Sequence, residues 1–271
     1  MPVASKRLPQ SRPHDEDDEL VDAEVPAAVV CARCGNAECS GCAQDGTLSG
    51  VIAVVPWERP GGANLGRLWA TARATTFDAD RFFESLPDGP LAPAVKFAVV
   101  SEMMAVTAMA LSALVLAIAV APARVRHIVM DHGVTALRLT AVGIPAIAAL
   151  LVVAHAAHGY ALDRGARRAG SRSCVVRALR FGLYAAGWDI VLGPIGLVGV
   201  AVKEGLRRAA SIATVGVGLP TRSAVAFLRG CYRLEGKGAL PALRASYLVA
   251  IMATLLGALV VVAGLVAALA L

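Results

Sequence analysis

The sequence predicts an all-α protein: a polytopic transmembrane helical bundle of four or five spans, with a disordered acidic N-terminus and a small zinc-finger-like module in front. Three observations carry this expectation. Only 17% of the 271 residues are charged and 57% are hydrophobic, where soluble domains have about a quarter charged. The charge is divided unevenly: residues 1–90 hold 8 Lys/Arg and 14 Asp/Glu, a net of −6, and residues 91–271 hold 18 and 6, a net of +12. Long uncharged runs fill the basic half, ending with the 27 residues 245–271. Basic residues set between apolar runs, without interleaved aromatics, argue against nucleic acid as a partner. They fit contact with lipid headgroups and control of topology.

Residues 1–28 open with MPVASKRLPQSRPHDEDDEL, which has no apolar core behind its basic residues and so does not read as a secretory signal. Seven acids fall within residues 15–24. Such a stretch cannot bury enough surface to fold and is expected to be a solvated tail.

Residues 29–48 contain Cys31-x2-Cys34-x4-Cys39-x2-Cys42. Four thiolates fill all positions of a tetrahedral zinc ion and leave none for substrate. Gly35 after Cys34 permits the tight turn that aims backbone amides at sulfur. The spacer of four is shorter than the roughly 12–20 residues of a zinc ribbon. Two disulfides, free thiols, or another metal such as an iron–sulfur centre are the alternatives; a structural zinc ion is the expectation. Cys174 and Cys231 read as isolated thiols, with no partner arrangement that makes a nucleophile.

Residues 49–94 form a linker with an amphipathic helix over 64–77. Leu65, Leu68, Trp69, Ala72 and Thr76 share one face, with Arg67 and Arg73 off it. A Trp flanked by Arg suits a helix lying in the membrane interface; an ordinary helix packed on the membrane domain is the alternative.

Residues 95–271 form the membrane domain. A crossing helix needs about 20 apolar residues. Residues 103–123, 139–162, 181–202 and 245–271 meet this, the second interrupted by His155 and His158 and the third by Asp189 alone. Residues 209–228 are a weaker fifth candidate, broken by Pro220 and carrying Arg222. Small-residue pairs such as Ala253/Gly257 and Gly264/Ala268 allow close packing and leave a homo-oligomer open. Arg164, Arg167, Arg168, Arg172, Arg177 and Arg180 follow the second span, against Arg124, Arg126 and Arg138 before it. This bias puts residues 163–180 and the N-terminus on the cytoplasmic side of an inner (plasma) membrane. The thiols then face reducing cytosol, which favours metal over disulfide. Gly193-Pro194-Ile195-Gly196 can break the third span into two half-helices.

The stretch Pro56-Trp57-Glu58, then Leu68-Trp69, then Phe77-Asp-Ala-Asp-Arg-Phe82-Phe83-Glu-Ser-Leu86-Pro87 resembles the entry of bacterial Yip-family (Ypt-interacting protein) membrane proteins. Arg177-Ala-Leu-Arg-Phe-Gly-Leu-Tyr184, Gly193-Pro194-Ile195-Gly196 and Gly230-Cys-Tyr-Arg-Leu-Glu-Gly-Lys-Gly-Ala-Leu240 are similar to that family's later motifs. The resemblance covers residues 56–271 and implies a helical membrane fold. In eukaryotes it would imply binding of Rab-type GTPases and the shaping of trafficking membranes. Ala185, Ala186 and Gly187 stand where the family often has a Pro. About twenty extra residues lie near 202–222.

Asp189 is the leading chemical candidate, because an intramembrane carboxylate is costly; it is either functional or held near the interface by an Arg. His155 and His158, at i and i+3, either bind a metal or protons or meet water at a helix end. No Gly-rich phosphate loop, H-E-x-x-H or G-x-S-x-G is present, so no enzyme is expected. The functional expectation is a non-enzymatic scaffold or membrane-organising factor. Its zinc module (Cys31, Cys34, Cys39, Cys42) would recruit a cytoplasmic protein, and Trp69, Arg67, Arg73, Phe82 and Phe83 would meet anionic lipid. The alternative is a small-solute or ion transporter using Asp189 beside the Pro194 break.

Overall fold

The computed structural model describes residues 55–61 and 63–270. The acidic tail and the four clustered cysteines lie outside the described residues. A short 3-10 turn, Pro56–Glu58, precedes helices α1 (Asn64–Phe77), α2 (Ala79–Glu84), α3 (Leu91–Val120), α4 (Pro122–Arg168), α5 (Val175–Ala185), α6 (Gly187–Leu192), α7 (Pro194–Glu204), α8 (Leu206–Phe227) and α9 (Leu240–Ala270). No strand occurs among the described residues.

Three helical stretches are long and apolar enough to cross a membrane: α3, α4 and Gly236–Gly257, which joins the 3-10 turn Gly236–Ala239 to the first part of α9. A fourth is formed if Val175–Leu192 and Pro194–Glu204, bent by 48° at the break, count as one crossing. The break sits at Gly193, whose extended backbone (φ −76°, ψ 179°) delivers Pro194 to the first turn of α7. There its missing N–H is not needed and its fixed φ suits the helix.

The fifth expected span is not among them. All but the last of residues 209–228 lie in α8, which begins Leu206-Arg207-Arg208 and carries Ser211, Thr214, Thr221 and Arg222. α8 packs against α2 and α7, and Arg222 donates to Asp80 at 2.5 Å. A helix tied to protein by a charged side chain is a poor lipid-facing span. The first span also begins earlier than its uncharged run, at Leu91 and not at 103, so Glu102 lies inside the helix. α4 has 47 residues, about 70 Å if straight, more than twice the ~30 Å hydrocarbon thickness. Non-helical backbone at His132 (φ −128°, ψ 18°) divides it.

The core lies where α1, α2, α5 and α6 meet. Phe83 packs edge-on against Phe181 at 4.7 Å, and Phe181 stacks on Phe227 at 4.6 Å. α1 buries Leu68, Thr71, Ala72, Thr75 and Thr76, and Trp188 Nε1 donates to the Thr75 carbonyl at 2.8 Å. The helix is thus packed on the bundle, through a face rotated towards Thr71 and Thr75 from the one expected. Leu65 and Trp69 stay outside it, 66% and 40% exposed. Of the residues expected at the membrane interface, Arg73 is exposed, Arg67 half-buried, Phe82 half-buried and Phe83 buried. Phe83 therefore fills the core and does not face a bilayer, since its ring is enclosed by Phe82, Phe181 and Trp188.

Acids at 80, 84 and 88 each take an arginine from a distant element. Arg222 reaches Asp80, Arg229 pairs with Glu84 through two bonds of 2.8 and 2.5 Å, and Arg177 pairs with Asp88 through bonds of 2.8 and 2.6 Å. Arg180 is fully buried. Arg177 and Arg180, counted in the sequence as charges of one basic loop, are therefore neutralised by protein carboxylates and not displayed to lipid.

Candidate functional site: a carboxylate–histidine–carboxylate cluster

Three helices each bring one group to a common point. On α3 the buried residues Ala94, Phe97, Ala98, Ser101, Glu102, Ala105, Val106 and Ala108 recur at helical spacing and form its inward stripe. Glu102 is on that stripe and has no solvent exposure. His155 of α4 donates or accepts through Nε2 at 3.0 Å from Asp189 Oδ2 on α6. The same Nε2 is 3.0 Å from Glu102 Oε1. One ligand atom from each residue lies within 4.8 Å of the others.

Backbone contact sets this geometry. A Cβ at Gly182 would stand 2.0 Å from the His155 carbonyl oxygen, and one at Gly159 would stand 2.0 Å from that of Ala178. Only glycine at both positions lets α4 and α5 touch so closely, as in other small-residue helix crossings. His155 is one turn from Gly159, and α6 follows α5 directly, so the crossing fixes the imidazole beside Asp189.

The cluster is short of protons. Nε2 carries at most one hydrogen and stands 3.0 Å from both carboxylates, so it cannot serve the two fully at once. Both oxygens of Glu102 are buried with no hydrogen-bond partner among the described residues. No Lys or Arg forms an ion pair with either carboxylate among the described residues. Exposure is graded: the Glu102 side chain is closed off, His155 is 17% exposed and Asp189 is 45% exposed. Asp189 is the open end and Glu102 the closed one. Further unsatisfied groups lie nearby in sequence or on neighbouring helices: Ser101 Oγ, both ring nitrogens of His158, and Ser246 Oγ. An unpaired buried polar group costs about 1–3 kcal/mol, and such sites ordinarily hold water or ions.

Asp163, another fully buried acid, shows the opposite arrangement. It accepts from the Cys174 amide at 2.7 Å, the Tyr232 hydroxyl at 2.8 Å and Ser173 Oγ at 3.1 Å, and Arg167 Nε lies 3.3 Å away. Burial and Asp163 both push the Tyr232 phenol far above its ordinary value, which keeps it a donor. Asp163 is saturated and joins α4 to the segment before α5 and to the π-helical turn Leu228–Tyr232. Glu102 is unsatisfied.

Asp189 is therefore at the site, paired with a histidine and not with an arginine. His155 joins it, while His158 faces the bundle interior, 5.8 Å from the Phe181 ring. Glu102 escapes a sequence reading that ends spans at charges; its signal is its place on the stripe running from Ala94. The zinc ligands expected at Cys31, Cys34, Cys39 and Cys42 lie outside the described residues. Cys174 and Cys231 are neighbours and not isolated: burial and the adjacent Cys174 push Cys231 up to about 12, so it remains a protonated, unreactive thiol.

No family model, curated protein or solved structure matches the chain, and nothing in those comparisons identifies it as a Yip-family member.

Proposed function

We propose that the chain is a multi-pass membrane protein that takes up and releases a small cation at Glu102, His155 and Asp189, and so moves it across the bilayer. The observation that carries this reading is the Glu102 carboxylate, fully buried on a membrane-length helix and facing only the imidazole that it shares with Asp189. Intramembrane ionisable residues mark ion pathways and proton relays because their desolvation is otherwise uncompensated. Here two carboxylates share one imidazole, so the buried carboxylate charge must be met by protons or by a cation. A cation entering past the open Asp189 edge relieves that charge. The Gly193–Pro194 break, four residues beyond Asp189, supplies a joint at which the half-helices can tilt, as broken helices do at transporter sites.

Reconstituted proteoliposomes with trapped dyes for protons and for divalent ions test it. Flux should be present in the unaltered chain and lost in Glu102→Gln and Asp189→Asn at equal insertion. Absence of flux, or flux indifferent to both substitutions, overturns the reading.

A further inference from the structure

We infer that the ion held by Glu102, His155 and Asp189 is a divalent first-row transition metal of the Mn²⁺, Fe²⁺, Co²⁺ and Zn²⁺ class. The inference rests on the cation-site reading above and specifies its ligand.

The donor set is the first argument. Alkali ions, Mg²⁺ and Ca²⁺ are held by oxygen, whereas an imidazole nitrogen beside carboxylates selects first-row transition metals. Geometry is the second. Ligands about 2.1 Å from a shared metal are separated by about 3.0 Å at the right angles of octahedral coordination and by about 3.4 Å in a tetrahedron. His155 Nε2 is 3.0 Å from an oxygen of Glu102 and 3.0 Å from one of Asp189. A metal ion in the place of the single Nε2 hydrogen serves all three ligands at once, which one hydrogen cannot do. Charge is the third. Two carboxylates and a neutral imidazole carry −2; a divalent ion brings the cluster to zero, and a monovalent ion leaves −1 in the hydrocarbon layer.

The other polar clusters fail these tests. Asp163 is saturated by donors and has no nitrogen or carboxylate beside it that lacks a hydrogen. His127 and Asp131 pair at 3.0 Å but are 70% and 57% exposed and only two in number. Glu102 is the fully buried ligand, and it faces only the imidazole that it shares with Asp189. With protein ligands on three helices and the Asp189 side open, the remaining coordination positions are left to water, as in exchangeable sites and unlike closed structural ones.

The experiment uses the full chain in detergent, with Cys31, Cys34, Cys39 and Cys42 all replaced by Ser so that thiolates take no metal. After chelator treatment, Co²⁺ is titrated and followed by its visible absorption and by competition with a metal-binding dye. One Co²⁺ per chain is expected, with excess Mg²⁺ and Na⁺ failing to displace it. Glu102→Gln, His155→Gln and Asp189→Asn should each weaken binding by more than about tenfold, since loss of even outer-shell partners costs 10–100-fold. Co²⁺ should raise the unfolding temperature of the Ser-substituted parent and not that of the three variants. Asp189, at the exposed edge, supplies a folded variant if Glu102→Gln does not fold. No bound Co²⁺, displacement by Mg²⁺, or equal affinity in the variants overturns the inference. If no metal binds while proton flux sensitive to Glu102→Gln persists, the metal assignment falls and the cation reading stands. If Co²⁺ binds as expected but nothing is transported, the assignment stands and transport falls.

Discussion

Glu58 and Arg180, 122 residues apart in sequence, form an ion pair with the arginine wholly enclosed. Arg180 Nη1 is 2.9 Å from Glu58 Oε1, and Nη2 donates to Oε2 at 3.1 Å. The Tyr184 hydroxyl donates to the same carboxylate, and Arg180 also donates to the Pro90 carbonyl. Trp57 Nε1 donates to the Pro93 carbonyl at 2.9 Å. The Pro56–Glu58 turn thus ties the entry of α3 to α5. Pro56-Trp57-Glu58 and Arg180-Phe-Gly-Leu-Tyr184, far apart in the chain, are the two halves of this one lock.

Breaking the lock is predicted to be asymmetric. Glu58→Ala leaves the enclosed guanidinium without a counter-charge, and removing one partner of a buried pair costs about 3–5 kcal/mol. Arg180→Ala leaves Glu58, whose side chain is 19% exposed and can reach water, so its loss should be smaller. Thermal unfolding in detergent, together with the double variant, gives the comparison. An Arg180→Ala loss equal to or larger than that of Glu58→Ala contradicts the account.

Acid should weaken the junction of α2 with the turn after α8. Its hydrogen bonds to Arg229 hold the Glu84 carboxyl below its ordinary 4.5. A carboxylate with a depressed folded value stabilises above its unfolded value, and that contribution disappears as pH falls through the folded one. The stability difference between the unaltered chain and Glu84→Gln should therefore be present at neutral pH and close below about pH 4.5. It should be small, because both side chains are about two-fifths exposed and solvent screens such pairs. A difference that widens towards low pH contradicts the assignment.

Gly182→Ala should damage the cation site from a distance. The new methyl would meet the His155 carbonyl oxygen at 2.0 Å, so α4 and α5 must separate by more than an ångström, and overpacking of this kind costs about 1–3 kcal/mol. His155 then moves away from Asp189. Both the unfolding temperature and Co²⁺ affinity should drop. Gly199→Ala, where nothing lies within 4 Å, should leave both unchanged or gain up to about 1 kcal/mol of helix propensity. Co²⁺ affinity preserved in Gly182→Ala would remove the crossing from the account of the site.

The long helices were legible because twenty apolar residues in a row are a compositional fact, and the Gly193–Pro194 break because proline's geometry is local. The site was only half legible. Asp189 stands alone in an uncharged run and draws notice; Glu102 ends one, so a window that stops at charges discards it. Arg180 looks like one more loop arginine until Glu58 is found opposite it, and no local window contains both. The rotation of α1 was hidden for a related reason. Thr71 and Thr75 are weakly polar and can turn inward when their hydroxyls bond within the helix, as Thr71 Oγ1 does to the Arg67 carbonyl at 2.9 Å. Leu68, Ala72 and Thr76 of the expected face are buried while Leu65 and Trp69 turn outward, so hydrophobic periodicity found the face but missed its rotation.

Asp163 and Glu102 should respond in opposite ways to loss of charge. Asp163→Asn replaces an acceptor-only group, surrounded by the Cys174 amide, the Tyr232 hydroxyl and Arg167, with one that carries two donors. At least one buried donor then faces another, and the loss should be about 2–4 kcal/mol. Tyr232→Phe removes a single bond and should cost about 1 kcal/mol. Neither should change Co²⁺ affinity, because Asp163 belongs to a separate cluster. Glu102→Gln, by contrast, removes a buried acid whose imidazole neighbour is already shared with Asp189 and should leave the metal-free protein as stable as before or more so, while binding is lost. Stability withheld at a site and recovered on its neutralisation is the mark of a group kept for a ligand. Paired melting curves with and without Co²⁺ decide the matter: a Glu102→Gln loss as large as that of Asp163→Asn, in the absence of metal, would mean that Glu102 holds the fold together and is not waiting for an ion.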